Sequence, residues 1–259
     1  MIGVFDSGLG GLSVLAALID VLPAADFVYY ADTAHVPYGD KPDEFIQQRV
    51  LTIGNELING GCKVLVVACN TATAAAVQAL RDAHPTVPVV GVEPGIKPAA
   101  ASSLTRRIAV LATPSTARSA RLQALVERHA DSVTVKIEPC PDWATHVETL
   151  SLTDPRLVAD VRQRIDRLLE WGADRIVLGC THYSFLTPMI SPLLADKAEL
   201  IEVSEAVARQ THRLASTLPV GRGTIQLRAS ARVEQLRAAL PTLKLDYLLP
   251  RLVPINVAS

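Results

Sequence analysis

Apolar runs too short to make helices alternate, along most of this 259-residue chain, with longer amphipathic stretches. That alternation constrains the fold more than any other feature. Short strands separated by helix-length crossovers predict an α/β fold with a parallel sheet. Ile2–Phe5, Phe27–Ala31, Val64–Ala68 and Val87–Val92 read as strands, and helices fit after Gly11, over Asp43–Asn59 and over Thr71–His84. The pattern then restarts with strands at Ile108–Ala112, Val133–Ile137 and Ile176–Gly179. Between them, "TPSTARSARLQALVERH" opens a helix and Leu157–Trp171 is strongly periodic. The Pro- and Gly-rich stretch Gly91–Ser103 reads as a linker.

The two stretches match in more than pattern. Asp6 closes the opening strand of the first and Cys69 a later one; Thr113 and Cys180 close the equivalent strands of the second at nearly equal separations. This predicts two similar, pseudo-symmetric α/β domains with mainly parallel sheets and an active site in the cleft between them. Residues 1–97 form the first and 98–207 the second. Residues 208–259, with a strand at Ile225–Leu227 and a helix over Ala231–Leu240, read as a segment returning to the first domain. Ligands of parallel sheets bind beyond the carboxyl ends of the strands, so all four strand-end residues fall on the functional edge.

Composition removes several function classes. A net charge of −1 and 4% aromatic residues give neither attraction to a phosphate backbone nor a stacking platform, so nucleic acid is not expected as a partner. No apolar run approaches the roughly 18 residues that span a bilayer, so no membrane association is expected either. The opening "MIGVFDSG" leaves no room for a signal peptide, and a soluble cytoplasmic protein is the expectation. Cysteines at 62, 69, 140 and 180 form no CxxC pair, and a reducing compartment argues against disulfides.

The chemistry concentrates in "ACNTATA" and "LGCTHYSF". Cys69 and Cys180 each end a strand just before a helix start, a placement that lowers a thiol's pKa. A single buried cysteine is ordinarily a small hydrophobe. Two at equivalent ranks, flanked by Asn70-Thr71 and Thr181-His182, suit a proton transfer with one thiolate as base and one thiol as acid. Cys62 and Cys140 read as packing or loop residues.

In "DSGLGGLSVL", Ser13 occupies the third glycine position of a dinucleotide fingerprint, so the glycines read as a tight turn. Asp6 and Ser7 there can serve as proton partner and substrate hook. "HVPYGDK" brings Tyr38 and Gly39 to the same edge, and "ATPSTARS" offers Thr113, Ser115 and Thr116 for capping or anion binding. His182 can tune Cys180 or act as a general acid. "CTH" supplies two neighbouring ligand types without the further pair zinc needs, and no lysine lies in the strand-end motifs to hold pyridoxal phosphate, Lys97 being the nearest. No metal and no cofactor are expected.

Six motifs, "FDSGLGGLSV", "YADTAHVPYGDK", "ACNTATA", "GVEPGIKPA", "LATPSTARS" and "LGCTHYSFL", resemble in order those of the glutamate racemases of the aspartate/glutamate racemase family. The resemblance runs from residue 5 to residue 186. It implies cofactor-independent interconversion of L- and D-glutamate, supplying D-glutamate for peptidoglycan. By resemblance Cys69 and Cys180 are the two catalytic cysteines, with Asp6 assisting the first and His182 the second. Ser7, Tyr38, Gly39, Asn70, Thr71, Thr113, Thr116 and Thr181 match site-lining positions, and Glu148 in "HVETL" matches an acidic residue near the site. The chain departs from the family at Asp142-Trp143, where a glycine is frequent, and its tail beyond about Leu218 carries no matching motif.

Glutamate is then the only small-molecule partner implied, and a homodimer is compatible with the reading. Three rivals remain: an aspartate racemase using the same cysteines, a cysteine hydrolase, and a two-domain ligand sensor. The second cysteine counts against the hydrolase, and the lack of a DNA-binding motif weakens the sensor.

Overall fold

Strands covered on both faces need no alternation of polar and apolar residues, and the sequences IGVFD, FVYYA and VLVV show none. A computed structural model describes residues 1–254 and places such runs in two separate parallel sheets. The strands are β1 (Ile2–Asp6), β2 (Phe27–Ala31), β3 (Val64–Val67), β4 (Val89–Gly91), β5 (Arg107–Ala112), β6 (Thr134–Pro139), β7 (Arg175–Gly179), β8 (Glu199–Ile201) and β9 (Ile225–Ala229). The first sheet has the order β4-β3-β1-β2-β9 and the second β6-β5-β7-β8.

Read from opposite ends, the two orders are the same. β1, β2, β3 and β4 occupy the ranks of β5, β6, β7 and β8, and β9 is added beyond β2. The registers agree as well: Ile2 lies opposite Phe27 and Val64, and Ile108 opposite Val135 and Arg175. In each sheet the chain steps from the first strand to one side and then crosses to the other. The crevice created by that reversal lies between β1 and β3, and again between β5 and β7. Asp6 and Cys69 flank the first crevice, and Thr113 and Cys180 the second.

Some expectations need correction. The stretch Gly91–Ser103 is not an open linker, because Ile96–Ser102 is a helix whose Ile96 and Ala99 are buried with Ile108, Val110 and Val177 of the second sheet. "TPSTARSARLQALVERH" forms two helices, Pro114–Arg118 and Ala120–His129, broken at Ser119, whose hydroxyl caps the second. β8 and the helices Thr187–Leu194 and Ser204–Leu214 were not foreseen. The helix Ser204–Leu214 packs against the helix Leu12–Val21, and β9 pairs in parallel with β2. Residues 97 and 207 both lie inside helices, so neither position is a natural break.

Asp174 ties down the entry to the second sheet. Its carboxylate accepts the Ser103 hydroxyl at 2.6 Å and the N–H groups of Leu104 and Thr105 at 2.5 and 3.0 Å. Burial alone would raise this acid, but these bonds outweigh it and hold the carboxyl below the ordinary range. Asp174→Ala should destabilise the protein by about 3 kcal/mol, since it orphans partly buried donors. Urea unfolding would show this as a lower midpoint at unchanged slope.

Candidate active site

The first half of the site is built on β1 and β3. After β1 the chain turns through Ser7–Gly11 into the helix Leu12–Val21, and Asp6 Oδ2 accepts the Gly11 N–H at 2.6 Å. The Ser7 hydroxyl lies 3.5 Å from Asp6 Oδ1 and accepts the Cys69 thiol at 3.9 Å. Cys69 caps the helix Asn70–Ala83, with Ala72 N–H donating to its sulfur at 3.5 Å. Asn70, first in that helix, donates to the Val92 carbonyl at 3.5 Å.

The second half hangs from β5 and β7. Cys180 follows β7 and leads into a 3₁₀ helix, Thr181–Leu186, rather than an α-helix. Its sulfur is 3.6 Å from His182 Nδ1, and His182 Nε2 is 2.5 Å from Glu148 Oε1. Glu148 ends the short helix Trp143–Glu148, which starts from Asp142 in the left-handed conformation at φ 64°. Asparagine, aspartate and glycine are the residues that adopt that conformation at least cost.

Three ties bring the halves together. Glu148 Oε1 also accepts the Leu9 N–H at 2.6 Å, so one carboxylate oxygen bridges the Ser7–Gly11 turn and His182. The Ser13 hydroxyl reaches the Thr181 carbonyl at 3.3 Å. Thr71 lies 3.3 Å from Thr113 and 3.2 Å from Thr116, which are 3.0 Å from each other. A Cβ at Gly8 would overlap the Glu148 carboxylate, and one at Gly10 the His182 ring. Those glycines therefore admit the second half rather than a phosphate.

A model of the Asp/Glu/Hydantoin racemase family matches residues 11–211. The chain belongs to this family. It is 44% identical over 246 residues to the glutamate racemase of Pseudomonas aeruginosa, covering 93% of each chain. Among solved structures it resembles glutamate racemase isoform RacE1 from Bacillus anthracis, with a TM-score of 0.83, 28% identity and coverage of 99% and 97%. It also resembles Escherichia coli glutamate racemase, solved with L-glutamate and the activator UDP-MurNAc-ala, with a TM-score of 0.79, 28% identity and coverage of 94% and 93%.

The electrostatics of this racemase differ from the expectation of two acidic thiols. Burial pushes the Cys69 thiol well above its ordinary range, and the nearby Asp6 charge pushes it further, against a single N–H bond from Ala72. One helix N-terminus does not offset the loss of water around a residue that is 5% exposed. Burial also raises the Asp6 carboxyl, and the raising by Glu148 and burial together outweighs the lowering by His182 and Gly11. On the other side, burial disfavours charge on His182, yet its bonds to Cys180 and Glu148 win and raise the imidazole well above its ordinary value. The environment of Cys69 thus favours the thiol, whereas Cys180 faces an imidazole whose charged form is favoured. Cys69 and Cys180 are chemically unequal.

Tyr38 and Gly39 sit in a one-turn 3₁₀ helix, Tyr38–Asp40, with Gly39 facing Thr113. The Tyr38 hydroxyl is turned to Asp32 rather than to the sulfurs. Gly39, Thr71 and Ser115 line a cavity of about 600 Å³ whose rim carries Lys41, Arg118 and Arg121. Neither Cys69 nor Cys180 lines that cavity, and both are buried. Among the described residues, no group of three or more His, Cys, Asp or Glu side chains is placed to hold a metal ion. None of their helices is long and apolar enough to cross a membrane.

The structure thus links Asp6, Ser7 and Cys69 on one side, Glu148, Cys180 and His182 on the other, and Thr71 with Thr113 and Thr116 between the halves, while Thr181 meets Ser13 through its carbonyl and Asn70 bonds Val92. Sequence reasoning missed Asp32 and Arg49 behind Tyr38, and the Leu9 N–H that meets Glu148. Asp32 lies in the stretch YADTAHVPYGDK, where nothing local distinguishes it from a turn aspartate.

Proposed function

We propose that this chain is a glutamate racemase in which Cys69 and Cys180 exchange the α-proton from opposite sides of the substrate, with Asp6 and His182 as their acid–base partners. The observation that carries this reading is the equivalent rank of the two cysteines in two sheets of the same strand order. A duplicated unit facing its copy presents one sulfur to each face of a bound amino acid. The partners differ between the two sides: Cys69 has Ser7 and Asp6 beside it, and Cys180 has His182 backed by Glu148. Ser7, Gly39, Asn70, Thr71, Thr113, Thr116 and Thr181 supply the polar lining for the carboxylates and ammonium, with Tyr38 behind Gly39. Parting and closing of the halves admits glutamate and then excludes water.

The same reading divides the chain near residues 1–97 and 98–207, each division set back to the start of its helix, with the remainder returning to the first sheet through β9. All four cysteines are free, which supports a cytoplasmic site of action, where thiols stay reduced and D-glutamate enters peptidoglycan synthesis.

Purified protein incubated with D-glutamate and no added cofactor should carry it to an equal mixture of enantiomers, since the two have the same free energy. Chiral chromatography or circular dichroism would follow it. Glutamate left optically unchanged, or aspartate racemised in preference, would overturn the assignment. The turnover rate should trace a bell with pH, because one thiol must be ionised and the other protonated. Its limbs would belong to the coupled site and not to either cysteine.

A further inference from the structure

We infer that Asp32 and Arg49 are positioning residues for this reaction, anchoring through Tyr38 the loop that forms one wall of the substrate cleft. The inference rests on the glutamate racemase reading for its kinetic consequence, but not for its structural one.

Asp32 follows β2 directly, and its N–H donates to the Asp6 carbonyl at 3.0 Å, so it stands in the row of strand-end residues. Its side chain is wholly buried and is occupied from several directions. Tyr38 Oη donates to Oδ2 at 2.6 Å, and Arg49 donates from Nε to Oδ2 and from Nη2 to Oδ1, both at 2.9 Å. A buried carboxylate held by a forked guanidinium is a rigid acceptor, because both oxygens are fixed in plane. Arg49 itself comes from the long helix Asp43–Asn59, whose Ile46, Val50, Ile53 and Leu57 are packed in the core.

Tyr38 is the link to the cleft. The residue is 1% exposed and packs in the core of the first half. Burial, reinforced by the Asp32 charge, keeps its hydroxyl protonated, so it remains a donor to Asp32 and is not a proton carrier. The residue after it, Gly39, faces Thr113 of the other half and lines the cavity with Thr71. Fixing the Tyr38 hydroxyl therefore fixes where this wall stands against the second half. Tyr38 and Arg49 make these hydrogen bonds to Asp32 and not to either sulfur, so their loss should weaken substrate binding more than proton transfer.

Asp32→Asn and Tyr38→Phe would be measured beside the wild type, with Arg49→Lys as the conservative partner variant. Asp32→Asn should raise KM for glutamate by about tenfold or more while kcat changes little, as expected for losing a charge-assisted hydrogen bond. Arg49→Lys should lie between the wild type and Asp32→Asn. The double variant Asp32→Asn with Tyr38→Phe should be no worse than Asp32→Asn alone, because both act through one bond. Amide exchange at residues 37–41 should quicken in each variant without a matching change in β1 or β3. Unchanged KM, fully additive effects or unchanged exchange in the loop would overturn the inference. A wild type that leaves glutamate untouched would overturn the functional reading instead, and the exchange measurement would still decide the anchor.

Discussion

Replacing Cys69 by alanine should reduce racemisation by about 10⁴-fold, and replacing Cys180 should do the same, because each change removes the proton carrier for one face. Alanine is smaller than cysteine, and the Cys69 change gives up only the bond from the Ala72 N–H at one helix start, so circular dichroism spectra should stay close to the wild type. Each variant keeps one thiol and its partner. Cys69→Ala retains the Cys180–His182–Glu148 array, and Cys180→Ala retains Asp6 and Ser7 beside Cys69. In D2O such a variant can exchange the α-proton of one enantiomer but not invert it. The wild-type enzyme, started from L-glutamate and stopped early, should yield D-glutamate carrying deuterium while the recovered L-glutamate keeps mostly hydrogen. A variant with near-wild-type turnover in both directions would refute the two-thiol assignment. Deuterium entering both enantiomers together, with the single variants still inverting, would point to one base reaching both faces.

Glu148→Gln should lower kcat by about 10²-fold with a smaller change in KM, since the carboxylate acts on the imidazole and not on the substrate. Glu148 Oε1 lies 2.5 Å from His182 Nε2 and helps to hold the imidazole in its charged form. Without it, positive charge beside the Cys180 sulfur is lost at lower pH, and the corresponding limb of the pH profile moves down. Stability follows the same sign. His182 is raised in the folded protein, so its contribution is fully present below about pH 6.5, the unfolded value. That contribution is lost as pH rises through the folded value. Glu148→Gln should bring that loss to lower pH, visible in urea midpoints measured across a pH series. An unchanged kcat and an unshifted profile would remove Glu148 from the machinery. The carboxamide can still accept the Leu9 N–H, which separates the electrostatic role from the structural tie.

The local periodicities determined the sheet content, and they did so because strand and helix burial leave their marks within a few residues. Phe27–Ala31 and Asp43–Asn59 fall at the bounds read from the sequence. β8 escaped because it is three residues long and lies at a sheet edge, and the helix Thr187–Leu194 because prolines interrupt its pattern. The matched positions of Asp6, Cys69, Thr113 and Cys180 were also legible, since a duplication preserves rank along the chain even after identity has faded.

What only the tertiary structure decided is how those residues behave. A cysteine at a helix start reads as an acidic thiol, and only its burial beside Asp6 reverses that for Cys69. Glu148 and Leu9 meet across 139 positions of sequence, and Asp32 meets Tyr38 and Arg49 through side chains with no local signature. Solvation and charge depend on neighbours contributed by other elements, and a linear sequence does not carry those distances. The chain's own pattern therefore set which residues reach the cleft, and packing between the two halves set which of them hold a proton there.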